Sequence, residues 1–335
     1  MEQWNKELEE RILKKSKFTL TLKIIRIILI LFLVHMFYKL ILEQVVQYFN
    51  DSQENHYFST LAIEWTNPNV YGSFNLKEEP ISFFGTKVIS YDLFKRVGNE
   101  QFVIGESEVT KPLFFDPFRK ISLIPGEERL SDIAISMPED PRTGSELKID
   151  TNPKTWETLE ILPEGTVAEL SFTTSSFMNA KELVTKLEKY DLHILWMPLY
   201  TGEFKEYEPF SYSTGIPASL HVYSVIGLKG GKDHDGFYRV GYESLYITKD
   251  DLKENEQLML KNMKEILHKP EDYYKHFLGL PHLEEQYNYI VENGFTVYGA
   301  VVTGPTKELL KLKDEPLIQG VQLGEVELWN WQLYE

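Results

Sequence analysis

The stretch FTVYGAVVTGPTKEL, Phe295–Leu309, decides how the second half of this chain is read. From Phe295 to Val302 nearly every residue is apolar, β-branched or aromatic. A run that short predicts a central strand covered on both faces. Gly304-Pro305 ends it and opens a helix with proline at the first position, where the missing N–H costs nothing. Leu309, Leu310 and Leu312 lie on that helix.

The flanks extend the pattern. Upstream, Asn293-Gly294 is a left-handed C-cap signal that closes a helix expected over His282–Val291. A longer helix is expected over Lys249–Leu267, with Leu252, Leu260, Met263 and Leu267 at helical spacings. Downstream, Val321 and Leu323 alternate as in a strand, and so do Val326 and Leu328. The alternation slips by one at Gly324-Glu325, which predicts a β-bulge.

An earlier segment echoes this one. TVAELSF, Thr166–Phe172, alternates as a half-buried strand. Asn179 then offers an N-cap, with Glu182 three residues on completing a capping box. Leu183, Val184 and Leu187 supply one apolar helix face, and LHILWMPL, Leu192–Leu199, is a second strand. Thr166-Val167 followed by Lys181-Glu182-Leu183 is answered by Thr296-Val297 followed by Lys307-Glu308-Leu309. Strand, helix, strand, insertion, strand, helix, strand is the βαββαβ order of a ferredoxin-like domain with a helical insertion.

Before this lies a small β-rich region. TLAIEW (Thr60–Trp65), VYGSFNL (Val70–Leu76) and TKVISYD (Thr86–Asp92) are predicted strands, punctuated by Asn67-Pro68-Asn69 and Gly72. MPEDPRTGSE, Met137–Glu146, is polar and rich in turn formers, and is the expected linker. The fold class is α+β.

Near the start runs KIIRIILILFLVHMFYKLIL, Lys23–Leu42, within an apolar stretch from Phe18. Roughly 20 such residues cross a hydrocarbon core. Lys23, Arg26 and Lys39 sit where their stems reach the headgroups. The run is too long for a signal peptide, and no small-x-small cleavage site follows it. His35 falls at mid-depth, where an imidazole facing a partner helix or simple tolerance is expected. Up to Leu42 there are eight basic and four acidic residues, leaving 27 basic and 47 acidic in the remainder of a chain of net charge −16. The positive-inside bias therefore puts the N-terminus in the cytoplasm and the acidic body outside. The expected division is a cytoplasmic tail over 1–17, a membrane anchor over 18–46, a β-rich region over 47–146 and a C-terminal domain over 147–335. In the tail, Trp4, Leu8 and Ile12 recur on one helical face and are the candidate partner-binding residues.

Composition excludes several functions. The chain has 335 residues and no cysteine, so disulfides, thiol nucleophiles and cysteine-based zinc sites are out. An acidic body argues against direct nucleic-acid binding. No H-E-x-x-H or G-x-S-x-G motif occurs. Gly227, Gly230, Gly231 and Lys232 imitate a phosphate loop, but the spacing is wrong and Asp233 stands where a hydroxyl should hold magnesium. Asp233, His234 and Asp235 are adjacent and cannot all point at one ion. His268, His276 and His282 are too widely spaced to share a helix face. Thr303-Gly304-Pro305-Thr306 offers free N–H groups at a helix start, as every helix does. No catalytic residue, metal site or cofactor is expected.

LPEGTVAEL (Leu162–Leu170), YDLHILW (Tyr190–Trp196), VYGAVVTGPTKEL (Val297–Leu309) and GEVELWNW (Gly324–Trp331) resemble the membrane-bound sigma factor regulators of Bacillus-type bacteria. The resemblance to their C-terminal domain runs from about Lys154 to Trp331, and the anchor to about Phe118 resembles their N-terminal region. It implies a regulator of an extracytoplasmic-function sigma factor, either an anti-sigma factor or an accessory to one. The implied partner is a sigma factor or a second membrane-bound regulator, with the outer domain relaying envelope state. An exported ligand-binding module without a transcriptional role is the alternative.

Overall fold

A computed structural model describes residues 6–49, 52–202, 210–212, 219–222 and 224–331. Helix α1, Lys6–Phe49, is one unbroken rod of 44 residues, roughly 66 Å at 1.5 Å per residue. It contains neither glycine nor proline, so nothing in its sequence kinks it. The Thr19 and Thr21 hydroxyls donate to the carbonyls one turn back, at 2.8 and 2.9 Å. None of its apolar window is buried, and it alone among the described residues is long and apolar enough to cross a membrane. The continuation past Leu42 to Phe49 is helical.

Helix α2 is Ser52–Thr66. The expected strand over Thr60–Trp65 is thus wrong. Twelve of the fifteen residues of α2 are buried, so the helix shows no polar face from which a 3.6-residue period can be read. Tertiary burial outweighs the β-branched and aromatic propensities of the segment. The second expected strand shrinks to β1, Tyr71–Gly72. The third is real, as part of β2, Lys87–Val97. It pairs with β3, Glu100–Lys111, which pairs with β4, Phe118–Leu123, giving an antiparallel sheet in the order β1-β2-β3-β4. The stretch read as a linker contains a short hairpin, Glu139–Asp140 against Ser145–Glu146. Met137 is buried there, and its N–H donates to Leu220 O at 2.8 Å.

The larger sheet holds the second half. Helix α3, Pro153–Ile161, is capped by the Asn152 side chain. Then come β5, Thr166–Asn179; α4, Ala180–Leu187; β6, His193–Tyr200; and the edge strand β7, Gly227–Leu228. Helices α5, Leu252–Leu267, and α6, Leu283–Asn293, form the insertion, followed by β8, Thr296–Pro305; α7, Thr306–Leu310; and β9, Ile318–Leu328. The sheet order is β7-β6-β8-β5-β9, and every neighbouring pair is antiparallel. Strands β5 and β6 therefore run parallel on either side of β8, and β8 and β9 on either side of β5.

Strand β8 is central and buried along nearly its whole length. The register shift between Leu323 and Val326 is the expected bulge, and Gly294, with φ of 77°, caps α6. The Asn179 side chain accepts from Lys181 N, capping α4. Three local expectations need correction. Strand β5 is buried on both faces from Thr166 to Thr174, because Asn69, Val97 and Ser136 cover the side expected to face solvent. Helix α5 begins at Leu252, after a turn in which Thr248 and Asp251 satisfy each other. Pro305 is the N-cap of α7, one residue ahead of the first helical position. One hydrophobic core joins Tyr57 and Leu61 of α2 to Leu170 of β5 and Met263 of α5, so the residues just after α1 are inseparable from the C-terminal sheet.

Candidate functional site

Tyr57, Leu61 and Glu64 fall at i, i+4 and i+7 of α2 and are all buried. A carboxylate so placed must be compensated, since an unpaired buried charge is among the costliest defects a fold can carry. The compensation comes from the segment Leu228–Lys232. Lys229 Nζ lies 2.7 Å from Glu64 Oε2, and Lys232 Nζ lies 2.7 Å from Glu64 Oε1. Gly72 N donates to Glu64 Oε1 at 3.1 Å. Lys232 also meets Glu243 at 3.1 Å, so two carboxylates face two ammonium groups.

Burial alone would raise the Glu64 carboxyl. The charges of Lys229 and Lys232 overcome it and hold the group below the ordinary carboxylate range. Burial likewise works against Lys232, but Glu64 and Glu243 together leave its ammonium raised. For Lys229, burial prevails over Glu64 and lowers it. The ammonium of Lys229 stands 4.4 Å from the Tyr71 ring centroid, a favourable placement for a desolvated cation.

The glycines of this segment serve close packing. A Cβ on Gly230 would stand 1.9 Å from Ser244 O, and one on Gly227 would stand 1.9 Å from the Trp196 ring. Gly231 N donates to Asn255 Oδ1 at 2.8 Å. The Gly231 N–H is thus spent inside the protein. Trp196 Nε1 donates to Trp65 O at 3.2 Å, a second tie between α2 and the sheet. The Tyr57 hydroxyl, 3.0 Å from Lys232 O, ties α2 to the hairpin Lys232–His234 against Val240–Glu243.

Two imidazoles are shielded from solvent, His56 buried and His193 half-buried. His56 is desolvated, and although Ser73 O accepts from its ring at 2.8 Å, its pKa falls to about 4. His193 stacks on Tyr246 with ring centroids 3.9 Å apart and touches Trp331, and burial takes it to about 4 as well. Arg96 Nη1 donates to the Tyr246 hydroxyl at 3.2 Å. Both imidazoles are neutral at neutral pH.

The residues singled out in the sequence go elsewhere. Leu8 and Ile12 are 60 % exposed on the first turns of α1, while Trp4 lies outside the described residues. Asp233 pairs with Lys261, His234 with Glu265, and Asp235 with Arg239, in three separate contacts. His268 caps α5 and His282 caps α6, while the exposed His276 lies 3.6 Å from Asp272. Among the described residues no group of three metal-ligating side chains converges. Thr303 Oγ1 accepts from Gly98 N and donates to Ala168 O, and the hydroxyls of Thr166 and Thr306 meet at 3.1 Å. His35 stacks parallel to Phe83.

The Glu64–Lys229–Lys232 cluster was missed because Thr60–Trp65 reads as a strand. Its signal was a glutamate inside an apolar run, LAIEW, and two lysines inside LKGGK. What the arrangement does chemically is hold: it fixes the helix following α1 to the strand edge of the C-terminal sheet.

Residues 10–102 match the family described as sigma factor regulator N-terminal, and residues 159–325 that described as sigma factor regulator C-terminal. The probable anti-sigma-M factor YhdL of Bacillus subtilis (strain 168) is 25 % identical over 286 residues, spanning 84 % of this chain and 71 % of that protein. No solved structure matches. Families of this kind are regulators and not enzymes, which accords with the sequence. With both regions matched in order along one chain, the protein belongs to the sigma factor regulator family.

Proposed function

We propose that this sigma factor regulator is anchored by α1 as a single-pass membrane protein, with residues 1–17 in the cytoplasm and the body outside. It acts on an extracytoplasmic-function sigma factor, as an anti-sigma factor or as an accessory to a second membrane-bound regulator. Residues 18–46 are the anchor, 47–146 the N-terminal regulator region and 147–335 the C-terminal regulator domain. The order β7-β6-β8-β5-β9, with α4 and α7 as crossovers, supports a ferredoxin-like reading of that domain.

The observation that carries the proposal is the contrast between α1 and α2, its successor in the chain. The apolar window of α1 is unburied, whereas twelve of the fifteen residues of α2 are buried and the helix is clamped by Glu64 to Lys229 and Lys232. Val46 of α1 is itself buried against the body, so a displacement of the body relative to the bilayer is carried along α1 towards the residues around Leu8. The relative named a probable anti-sigma-M factor supports a sigma factor as the ultimate partner. The test is the set of transcripts made by each sigma factor of the source organism, compared with and without the gene. A rise confined to one sigma factor's targets supports the reading. No change in any set would contradict it and favour an exported binding module.

A further inference from the structure

Four exposed phenylalanines gather where α1 leaves its apolar stretch. Phe83 and Phe84 top a turn closed by Ser82 N to Thr86 O and Gly85 N to Ser82 O, both at 3.0 Å. Gly85 adopts φ of 78°, a conformation that favours glycine. Phe114 and Phe115 top the neighbouring turn, because Lys87 pairs with Lys111 at this end of the β2–β3 hairpin. Lys111 Nζ donates to Phe115 O at 2.6 Å and steadies that turn. A Cβ on Gly85 would stand 3.2 Å from both Leu113 and Leu42, so the two turns and α1 converge.

This patch is continuous with the span. The Tyr38 hydroxyl donates to Phe83 O at 2.5 Å, and the Phe83 ring lies 5.0 Å from the Tyr38 ring. Tyr38 precedes the end of the apolar run at Leu42 by one helical turn. The Phe83 ring also faces His35, nearly one turn deeper. Phe84 is 81 % and Phe114 86 % exposed, far beyond what scattered surface phenylalanines require.

We propose that the turns Ser82–Thr86 and Lys111–Phe118 form a lipid-binding surface that inserts its phenylalanines into the outer leaflet, at a depth of about 5–10 Å. The inference rests on the reading of α1 as a membrane span and adds to it a second contact between body and bilayer. Two contacts fix the tilt of the body where one helix leaves it free. The ligand class is the bilayer surface itself.

The chain has no cysteine, so single-cysteine variants report unambiguously. Full-length Phe32→Cys, Phe84→Cys, Phe114→Cys and Glu100→Cys proteins are labelled with a polarity-sensitive maleimide. They are reconstituted in phosphatidylglycerol–phosphatidylethanolamine vesicles carrying nitroxide lipids at shallow or deep positions. Phe32 lies mid-span, and Glu100 is exposed at the opposite end of the same hairpin. The expected result is that shallow nitroxide at least halves emission at 84 and 114, leaves 100 unchanged, and deep nitroxide quenches 32. Quenching at 32 without quenching at 84 and 114, whether those sites are wet or shielded by a protein neighbour, overturns the inference and leaves the span standing. No quenching at 32 overturns the span, and this inference with it.

Discussion

Glu64 and Lys232 are 168 residues apart in sequence, yet their side chains meet at 2.7 Å with neither exposed to solvent by more than 1 %. The contact joins the helix that follows α1 to the hairpin Lys232–His234 against Val240–Glu243, just beyond the edge strand β7. Buried pairs contribute little net stability when formed, but breaking one leaves a charge stranded. The pair thus enforces one docking of α2 on that hairpin.

Glu64→Gln removes the charge while keeping the shape. It is expected to destabilise the full-length protein by about 3–5 kcal/mol. Combining it with Lys229→Met should cost less than the sum of the two single changes, since the double variant strands no unmatched pair. Denaturant unfolding in micelles measures all three. Strict additivity would mean the groups do not interact.

Gly230→Ala places a methyl group against Ser244 O. Because the neighbour is backbone, the strand edge must shift, at a cost of about 1–3 kcal/mol. Phosphate at millimolar concentration should leave the unfolding midpoint of the unmodified protein where it is. A phosphate-dependent rise would revive the loop as an anion site.

The pH dependence has a definite sign. His56 and His193 titrate near 6.5 when unfolded and at about 4 when folded. Between those values the unfolded chain binds more protons, so stability falls as pH drops from about 6.5 towards 4. For the more deeply buried His56 the loss is at most about 3 kcal/mol. Unfolding measured at pH 7 and pH 5 should show the slope, and His56→Gln with His193→Gln should flatten it. An unchanged slope in that double variant would assign the effect to other groups.

Leu8→Asp with Ile12→Asp alters exposed residues on α1, far from the core. Stability should stay within about 0.5 kcal/mol of the unmodified protein. Crosslinking in membranes should lose the sigma factor or its second regulator. Retained crosslinking would move the partner surface off this face.

Much of the C-terminal sheet was legible because its signals are local. Phe295–Val302 is apolar on both faces, Gly294 can take a positive φ, and Asn179 can cap a helix. The same reasoning failed for Thr60–Trp65. A helix buried on every side has no polar stripe, and Thr60, Ile63 and Trp65 by themselves favour a strand. The ion cluster was illegible for a related reason, since it depends on a pairing between α2 and a segment more than 160 residues on. No spacing rule reaches that far. The phenylalanine turns were hidden because each looks like a hairpin end until Tyr38 is placed beside Phe83.

The most direct test is the side of the membrane on which each part stands. Single-cysteine variants at Lys14 and at Ile161, both exposed, are treated with a membrane-impermeant maleimide in intact protoplasts. The proposal predicts labelling at 161 at once and at 14 only after lysis. Labelling at 14 in intact cells with 161 protected would contradict it.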